Sequence, residues 1–476
     1  MHADKLHEAC GIFGVYAPGL EVANLAYYGL YSLQHRGQES AGIAVADGRQ
    51  IALHKEMGLV AEVFTESRLS ELKGRLAIGH VRYSTTGASH PINAQPLVFY
   101  CGKGMLGLAH NGNISNGFSL RRELLKDGAV FQTTTDSEVL INLISRLNGD
   151  YNLPHAIKQC MERAEGAYSL VLLTEDRIYA VRDPYGFRPL CLGRLGTGGW
   201  IVASESCALD AVGATFVRDV RPGEILEIAP DGPRTHAVVA APRRAQCVFE
   251  YIYIARPDST IDGFNVGQVR REMGRQLARE FCPQADIVVP VPDSGIAAAR
   301  GYAEESGLIF EEGLMKNRYV GRTFIQPTQQ IRDTGVRLKL NPVREVVVGK
   351  KVVVVDDSVV RGTTSCRIVK MLRDAGAKEI NFCLSSPPII RSCYYGIDTS
   401  NEAELIAAHK NIKEICRFIG ADGLHYLTLD GLLRVFGDKA RDFCVACFTG
   451  EYPVNVKDRG EGKFGLDCPS VLGAAG

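Results

Sequence analysis

The sequence has no net charge, no long apolar run and no secretory leader. Its 54 lysine and arginine residues balance 54 aspartate and glutamate residues, so its charge does not favour binding to nucleic acid or to an anionic membrane. No apolar run is long enough to span a bilayer. The first nine residues, MHADKLHEA, lack the apolar core of a secretory signal. We therefore expect a cytoplasmic protein with neither nucleic acid nor a membrane as a partner.

Internal repeats and low-complexity segments are also missing. The 476 residues are enough for two or three domains. Fourteen cysteines in a chain of this size suggest a reducing compartment, in which thiols serve catalysis, metal binding or packing.

The two halves of the sequence have different patterns. The first half has short strand-like runs broken by glycine turns, which predicts sheets flanked by helices. The second half alternates strands and helices, which predicts βαβ units and a parallel sheet. A Pro- and Arg-containing stretch at residues 240–246 separates them, so we predict one domain at residues 10–245 and another at 246–476. The predicted strands are residues 10–16, 40–45, 76–81, 167–173, 177–182, 286–291, 352–355 and 379–384, and the predicted helices are 20–34, 136–146, 296–306 and 363–375.

The second half contains a segment at residues 350–365 with the sequence KKVVVVDDSVVRGTTS. Four consecutive valines predict a strand buried on both faces, and Asp356 and Asp357 follow at its carboxyl end, where open α/β sheets bind ligands. The two acids suit ribose hydroxyls and a hydrated Mg²⁺ ion. Backbone N–H groups of the loop and of the following helix can hold a phosphate. The Gly-Lys-Ser/Thr signature of a Walker loop is absent.

This segment resembles the signature of type I phosphoribosyltransferases, whose substrate is phosphoribosyl pyrophosphate. The resemblance implies that Asp356 and Asp357 hold the ribose and Mg²⁺, while the loop holds the 5-phosphate. The turn VPVPDSG at residues 289–295 resembles the pyrophosphate loop of this family, in which Ser294 would lie near the metal. The alternatives are a plain strand-turn-helix with solvated acids at residues 350–365 and a plain turn before a helix at residues 289–295. The loop residues implied in binding are Ser358, Arg361, Gly362, Thr363 and Thr364.

A long basic segment at residues 316–342 has no clear periodicity. Loops of this length in compact domains are usually functional or disordered. Its cations suit a pyrophosphate group, and closure of the loop would keep water from a reactive sugar cation. We assign Arg322 and Lys339 to phosphoribosyl pyrophosphate, with a solvated linker as the alternative.

The first half carries Cys10 in the run EACGIFGV, and polar, glycine-punctuated segments follow at residues 33–42, 79–87, 110–114 and 133–138. In order and spacing they resemble the glutaminase domain of class II amidotransferases, which are N-terminal-nucleophile hydrolases with a four-layer αββα fold. The resemblance implies that a propeptide, residues 1–9, is removed. Cys10 would then attack the glutamine amide, with its own α-amino group as the base.

The same resemblance implies roles for four further residues. Asn111 and the Gly112 backbone N–H would form the oxyanion hole. Arg82 would pair with the glutamine carboxylate through its planar fork, and Asp136 would hold the substrate ammonium. Simple packing of Cys10 and an ordinary Asn-Gly turn are the alternatives.

A glutaminase signature followed by a phosphoribosyltransferase signature makes the chain resemble the enzymes of the committed step of purine synthesis. The resemblance implies that ammonia passes inside the protein from Cys10 to C1 of the ribose in a Rossmann-like second domain. It also implies a homotetramer inhibited by purine nucleotides, bound at the phosphoribosyl site and near Lys316 and Arg318. One rival is a nucleotide-binding regulator without catalysis, which would need none of the glutaminase residues. Another is a glucosamine-phosphate or asparagine synthase, which the paired acids disfavour.

Four further cysteines are candidates for a metal site. Some members of this enzyme family hold a [4Fe–4S] cluster on one cysteine at the domain seam, one in the middle of the second half and a late CxxC. Cys247, Cys393, Cys444 and Cys447 occupy matching places. The resemblance implies a structural cluster and places the chain in the branch that also has a propeptide. Zinc and free thiols are the alternatives.

Overall fold

The computed structural model describes residues 10–83, 87–150, 152–196, 198–317, 340–399, 402–456 and 466. The predicted propeptide and the predicted binding residues Arg318, Arg322 and Lys339 lie outside these residues. Within the described part of the chain, no helix combines the length and apolar character needed to cross a membrane.

Two antiparallel sheets form the centre of the first half. Their strands are β1 (Gly11–Tyr16), β2 (Ser40–Ala46), β3 (Ile51–Met57), β4 (Leu76–Arg82), β5 (Leu97–Cys101), β6 (Gly104–Ile114), β7 (Gly166–Leu173), β8 (Ile178–Arg182), β9 (Cys191–Arg194), β10 (Trp200–Ala203), β11 (Thr215–Asp219), β12 (Glu224–Ala229) and β13 (Gly232–Val238). The order is β11-β9-β10-β1-β4-β2-β3 in one sheet and β13-β12-β8-β7-β6-β5 in the other.

Apolar side chains fill three layers around these sheets. Strand β1 is buried throughout, and its side chains alternate between two faces. Ile12 joins the core between the sheets, whereas Phe13 and Val15 join a second core under the helix Val22–Ser32. The helices Asp136–Asp150 and Leu153–Arg163 cover the other sheet. The first half therefore has the expected αββα order of layers.

The second half is built on a parallel sheet with helices on both faces. Its strands are β14 (Gln246–Cys247), β15 (Thr260–Ile261), β16 (Phe264–Asn265), β17 (Ile287–Pro290), β18 (Ile309–Phe310), β19 (Leu314–Lys316), β20 (Leu340–Pro342), β21 (Lys351–Asp356), β22 (Glu379–Leu384), β23 (Gly423–Tyr426) and β24 (Phe443–Cys444). The parallel sheet has the order β18-β17-β21-β22-β23.

The valine run of β21 explains why both faces are covered. Val353 and Val355 pack with the helices Val266–Glu280 and Ile296–Ser306. Val352 and Val354 pack on the opposite face, with the helices Thr363–Asp374 and Ile412–Ile419. The remaining helical segments are Val60–Val63, Glu66–Glu71, Pro91–Asn93, Gly117–Lys126, Cys207–Ala211, Glu250–Ile254, Arg344–Val347, Glu402–Glu404, Ile406–His409, Leu429–Arg434, Gly437–Asp442 and Ala446–Thr449.

The predicted fold class is confirmed, and most element predictions hold to within two or three residues. The helix Ile296–Ser306 and strand β22 begin and end where predicted. The alternative of an Asn-Gly turn at residues 111–112 is wrong, because both residues lie inside the long strand β6. The boundary between residues 245 and 246 stays a prediction; β13 ends at Val238 and β14 begins at Gln246.

A buried ion network joins the two halves. The Arg36 guanidinium pairs with Glu205 of the first half and with Glu250 of the second. Arg188 also pairs with Glu250, at 3.0 Å. All four side chains are at most 2% exposed. Because removing one member leaves charge buried without its partner, such a network resists separation of the halves.

Candidate active sites

A pocket in the first half brings together four of the predicted site residues. Cys10 immediately precedes β1, Arg82 ends β4, Gly112 lies in β6 and Asp136 begins the helix Asp136–Asp150. All four line one pocket. Strands β1 and β4 are neighbours in one sheet and β6 belongs to the other, so the pocket draws on both sheets.

The Cys10 thiol is buried and held by one backbone segment. Its Sγ donates a hydrogen bond to the Tyr83 carbonyl at 3.2 Å and accepts one from the Tyr83 N–H at 3.5 Å. Burial raises the pKa of Cys10 to about 11, although the Tyr83 backbone and the charge of Arg82 act in the opposite direction. The thiol is therefore protonated at neutral pH and needs a base before it can act as a nucleophile.

Arg82 and Asp136 place opposite charges in the wall of this pocket. Arg82 donates to the Ala88 carbonyl at 3.2 Å and lies 3.5 Å from a Glu39 carboxylate oxygen. The Asp136 carboxylate accepts a hydrogen bond from the Ile114 N–H at 3.1 Å. A buried cation and a buried anion facing one cavity suit the α-carboxylate and α-ammonium of an amino acid.

Gly112 lies in a backbone conformation that excludes other residues. Its φ is +143°, and an added Cβ would lie 2.1 Å from the Ala167 carbonyl oxygen on the neighbouring strand. Asn111 is fully buried but does not line the pocket. Its Nδ2 donates to Ser204 Oγ at 3.5 Å, and its Oδ1 has no partner among the described residues. The joint oxyanion role of Asn111 and Gly112 stays a prediction.

Sequence reasoning missed a polar group that lines the same pocket. The Gln95 side chain accepts from the His110 N–H at 2.9 Å and donates to Ser137 Oγ at 2.9 Å. His110 Nδ1 lies 3.0 Å from the same hydroxyl, and burial lowers the pKa of His110. Burial therefore favours its neutral imidazole. Both His110 and Ser137 fall inside polar segments of the sequence, whereas nothing local marks Gln95. Thr135 also lines the pocket.

The paired acids of the second half lie where β21 ends. Asp356 and Asp357 are each 1% exposed. A carboxylate oxygen of Asp356 accepts from the Asp357 N–H at 2.9 Å, and one of Asp357 accepts from Ser358 Oγ at 2.7 Å. These contacts hold both carboxylates at the carboxyl end of the sheet.

The predicted pyrophosphate turn lies beside these acids. Strand β17 runs parallel to β21, and the Val291 N–H donates to the Val355 carbonyl at 2.9 Å. An added Cβ on Gly295 would lie 2.4 Å from that carbonyl oxygen. The structure therefore brings the turn that contains Ser294 next to the end of β21.

The loop after the acids leads into the helix Thr363–Asp374, which is twelve residues long. Gly362 precedes this helix, and Thr363 and Thr364 begin it, so their N–H groups belong to a helix start that can bind a phosphate. Arg361 pairs with Glu404. The ends of the basic segment lie side by side, since Lys316 is opposite Leu340 in the β19–β20 pair; Lys316 also pairs with Asp293.

The four candidate metal-binding cysteines come together although they are far apart in sequence. Cys247 and Cys444 are direct neighbours in the parallel β14–β24 pair. The Cys447 carbonyl accepts from the backbone N–H groups of residues 390 and 391, which precede Cys393. The four thiols also interact electrostatically, and burial raises the pKa of Cys247 to about 12. Within the described residues, no three or more His, Cys, Asp or Glu side chains are arranged to hold a metal ion.

The fold and these two sites define a glutamine amidotransferase domain joined to a phosphoribosyltransferase domain. A family model described as a glutamine amidotransferase domain matches residues 80–211, and one described as a phosphoribosyl transferase domain matches residues 265–387. The amidophosphoribosyltransferase of Bacillus subtilis is 50% identical over 456 residues, which cover 95% of each chain. That of Archaeoglobus fulgidus is 53% identical over 453 residues, covering 94% of this chain and 98% of the relative. The chain belongs to the amidophosphoribosyltransferase family.

A solved structure agrees with this membership. Glutamine phosphoribosylpyrophosphate amidotransferase from B. subtilis, complexed with ADP and GMP, superimposes with a TM-score of 0.89 at 50% identity. The match covers 94% of this chain and 98% of that one. Membership of this family excludes the alternative of a glucosamine-phosphate or asparagine synthase.

Proposed function

We propose that the chain makes 5-phosphoribosylamine from glutamine and phosphoribosyl pyrophosphate, in the committed step of purine synthesis. Glutamate and pyrophosphate are the other products. The observation that carries this proposal is the convergence of Cys10, Arg82, Gly112 and Asp136 on one pocket. A nucleotide-binding regulator that had lost catalysis would need none of these four residues.

In the first site, Cys10 Sγ attacks the side-chain amide carbon of glutamine. The tetrahedral intermediate expels ammonia and leaves a thioester on Cys10, which water hydrolyses to glutamate and the free thiol. Arg82 holds the substrate carboxylate and Asp136 its ammonium. The Gly112 N–H and the Asn111 side-chain amide stabilise the oxyanion, because preorganised donors act most strongly where charge develops.

The base for this attack is the α-amino group of Cys10, freed by removal of residues 1–9. A thiol with a pKa of about 11 needs such a base, and an α-amino group has a pKa near 8. Intact mass of active enzyme should show loss of the nine residues. Full activity in a protein that retains Met1 would contradict this processing.

In the second site, ammonia attacks C1 of the ribose and pyrophosphate leaves. Asp356 and Asp357 hold the ribose hydroxyls, and residues 358–364 hold the 5-phosphate. The carboxylates and Ser294 supply oxygen atoms, which are the ligands that Mg²⁺ prefers. Bound Mg²⁺ would neutralise the leaving pyrophosphate, with Arg322 and Lys339 as further cations.

The four cysteines are proposed to hold a structural [4Fe–4S] cluster. Their electrostatic contact and the β14–β24 pairing support a common thiolate site. Zinc, which four thiolates also hold, stays the alternative, and analysis of iron and sulfide separates the two. Anaerobically purified protein should contain about four irons and four sulfides per chain and show a broad visible absorption band. Protein that is folded and active without iron or sulfide would contradict the proposal.

Regulation and assembly are proposed on the same basis. One solved structure at 50% identity is described as the allosteric regulatory enzyme of purine biosynthesis, and another carries ADP and GMP. We infer that purine nucleotides inhibit this chain by binding at the phosphoribosyl site and near Lys316 and Arg318. A homotetramer is expected, and native mass spectrometry would test it.

Pyrophosphate release in the presence of glutamine or of ammonium tests the function. Substitution of Cys10 by alanine should stop the glutamine-dependent reaction and spare the ammonia-dependent one. Loss of both reactions in a folded protein would argue against two separable sites.

A further inference from the structure

The contact between the two halves reaches the back of the Cys10 pocket. A turn of the second half, residues 394–398, lies against strand β6. The Tyr394 carbonyl accepts a hydrogen bond from Asn113 Nδ2 at 2.9 Å. An added Cβ on Gly396 would lie 3.0 Å from the carbonyl carbon of Gly112. The turn therefore touches the backbone proposed to stabilise the oxyanion.

One guanidinium holds this turn in place. Arg188 Nε and Nη2 both donate to the Tyr395 carbonyl, at 3.2 and 2.8 Å. The third nitrogen, Nη1, donates to Glu250 at 3.0 Å. Phe187, the preceding residue, stacks on the Tyr395 ring with centroids 4.4 Å apart. The Arg188 side chain is 1% exposed, so water does not compete for these bonds.

Only a small residue allows this approach. The added Cβ at Gly396 would also lie 2.9 Å from Arg188 Nη2, and Gly396 has a φ of +98°. The turn, the guanidinium and Gly112 thus fit together without room for a side chain. On the other side, the Arg188 carbonyl accepts from Ser169 Oγ at 3.2 Å, and Ser169 is opposite Asn111 in the β6–β7 pair.

We propose that Arg188 is a positioning residue for glutamine hydrolysis, which holds the 394–398 turn of the second half against Gly112. Arg188 touches neither substrate nor Cys10, and it acts through the backbone that carries the oxyanion donor. This inference rests on the proposed role of the Gly112 N–H. It predicts that docking of the second half sets the rate of hydrolysis in the first.

The main test is Arg188→Lys in the full-length enzyme. Lysine keeps the charge beside Glu250 but lacks the planar fork that reaches two partners. Since removing an oxyanion donor costs about 100- to 1,000-fold in kcat, a displaced one should cost about tenfold or more. The glutamine KM should change by less than about threefold, because the variant leaves the contacts that bind glutamine equally in the ground state and the transition state unchanged. Ammonia-dependent pyrophosphate release should stay within about twofold of the parent enzyme.

Ser206→Ala provides a control at another contact between the halves. Ser206 Oγ accepts a hydrogen bond from the Thr260 N–H at 2.8 Å and so also ties the second half to the first. This contact involves neither Arg188 nor the 394–398 turn. The control should leave the kcat for glutamine hydrolysis within about twofold of the parent.

Asn113→Ala is a second variant for the case that Arg188→Lys does not fold. It removes a tether of the same turn and should lower kcat in the same direction, by about two- to tenfold. Equal loss of glutamine- and ammonia-dependent rates, or an unchanged kcat in both variants, would overturn the positioning role. If the parent enzyme itself hydrolysed no glutamine, the proposed function would fail instead.

Discussion

The two candidate sites differ in how the chain supplies them. In the phosphoribosyl site, most residues come from one continuous stretch, 356–364, between a buried strand and a helix. In the Cys10 pocket, they come from positions as distant as Cys10 and Asp136, on strands of two sheets. The first site depends on a local backbone path, whereas the second depends on correct packing of the whole first half. Substitutions in the two sites should therefore have different and separable effects.

The largest expected effect comes from Cys10→Ala, which should abolish the activity of the first site and leave that of the second intact. Without the thiol, glutamine-dependent pyrophosphate release should fall at least about a thousandfold. The ammonia-dependent rate should stay within about twofold, because ammonia enters the second site without Cys10. Parallel assays with glutamine and ammonium chloride measure both. Residual glutamine turnover near the parent rate would show that another group is the nucleophile.

The matching change in the other site is Asp357→Asn. Loss of one carboxylate charge should lower both the glutamine- and the ammonia-dependent rates, by about 100-fold, because both need bound phosphoribosyl pyrophosphate. Isothermal titration with phosphoribosyl pyrophosphate and Mg²⁺ should show weaker binding. If only the glutamine-dependent rate fell, Asp357 would not belong to the shared acceptor site.

The sequence predicts the contiguous site well because its determinants are local. Four valines require a strand covered on both faces, and the acids and helix start follow from chain order alone. The Cys10 pocket could be predicted only by the resemblance of several motifs, since pairing between β1, β4 and β6 is not encoded within any of them. Strand β6 is not among the predicted strands; Asn-Gly is most common in turns, whereas Gly112 here provides a φ of +143° inside a strand.

The contact between the halves was also beyond local reasoning. Arg36 of the first half reaches Glu250 of the second as well as Glu205 of its own half. Such contacts depend on how the finished domains pack. The segment at residues 318–339, with Arg322 and Lys339, lies outside the described residues, so its predicted role in binding pyrophosphate stays a prediction.

A smaller effect, on stability, should come from Glu250→Gln. It leaves Arg36 and Arg188 buried without their shared carboxylate and should destabilise the protein by about 3 kcal/mol. The thermal midpoint should then fall by about 5 °C. Glu71→Gln is the control, because Glu71 forms an ion pair with Arg68 whose side chains are 60% and 51% exposed. An equal midpoint for the two variants would mean that the buried network does not stabilise the protein.

The smallest effect concerns the pH dependence of Cys10 alkylation in the chain that retains residues 1–9. Only the thiolate reacts, so a pKa of about 11 means that the iodoacetamide labelling rate rises with pH until about 11. For an ordinary thiol, with a pKa of about 8.5, the labelling rate levels off above about pH 8.5. Peptide mass spectrometry can follow Cys10 alone. A plateau at pH 9 would show that burial does not protonate this thiol as described.

The most direct test of the two-site account is pyrophosphate release from phosphoribosyl pyrophosphate and Mg²⁺, with glutamine compared with ammonium chloride in the processed, metal-loaded enzyme. An enzyme with two coupled sites should release pyrophosphate with either nitrogen source and form glutamate in equal amount only with glutamine. No release from either source, in protein shown to be folded, would contradict the two-site account and favour a regulator that binds nucleotides without catalysis.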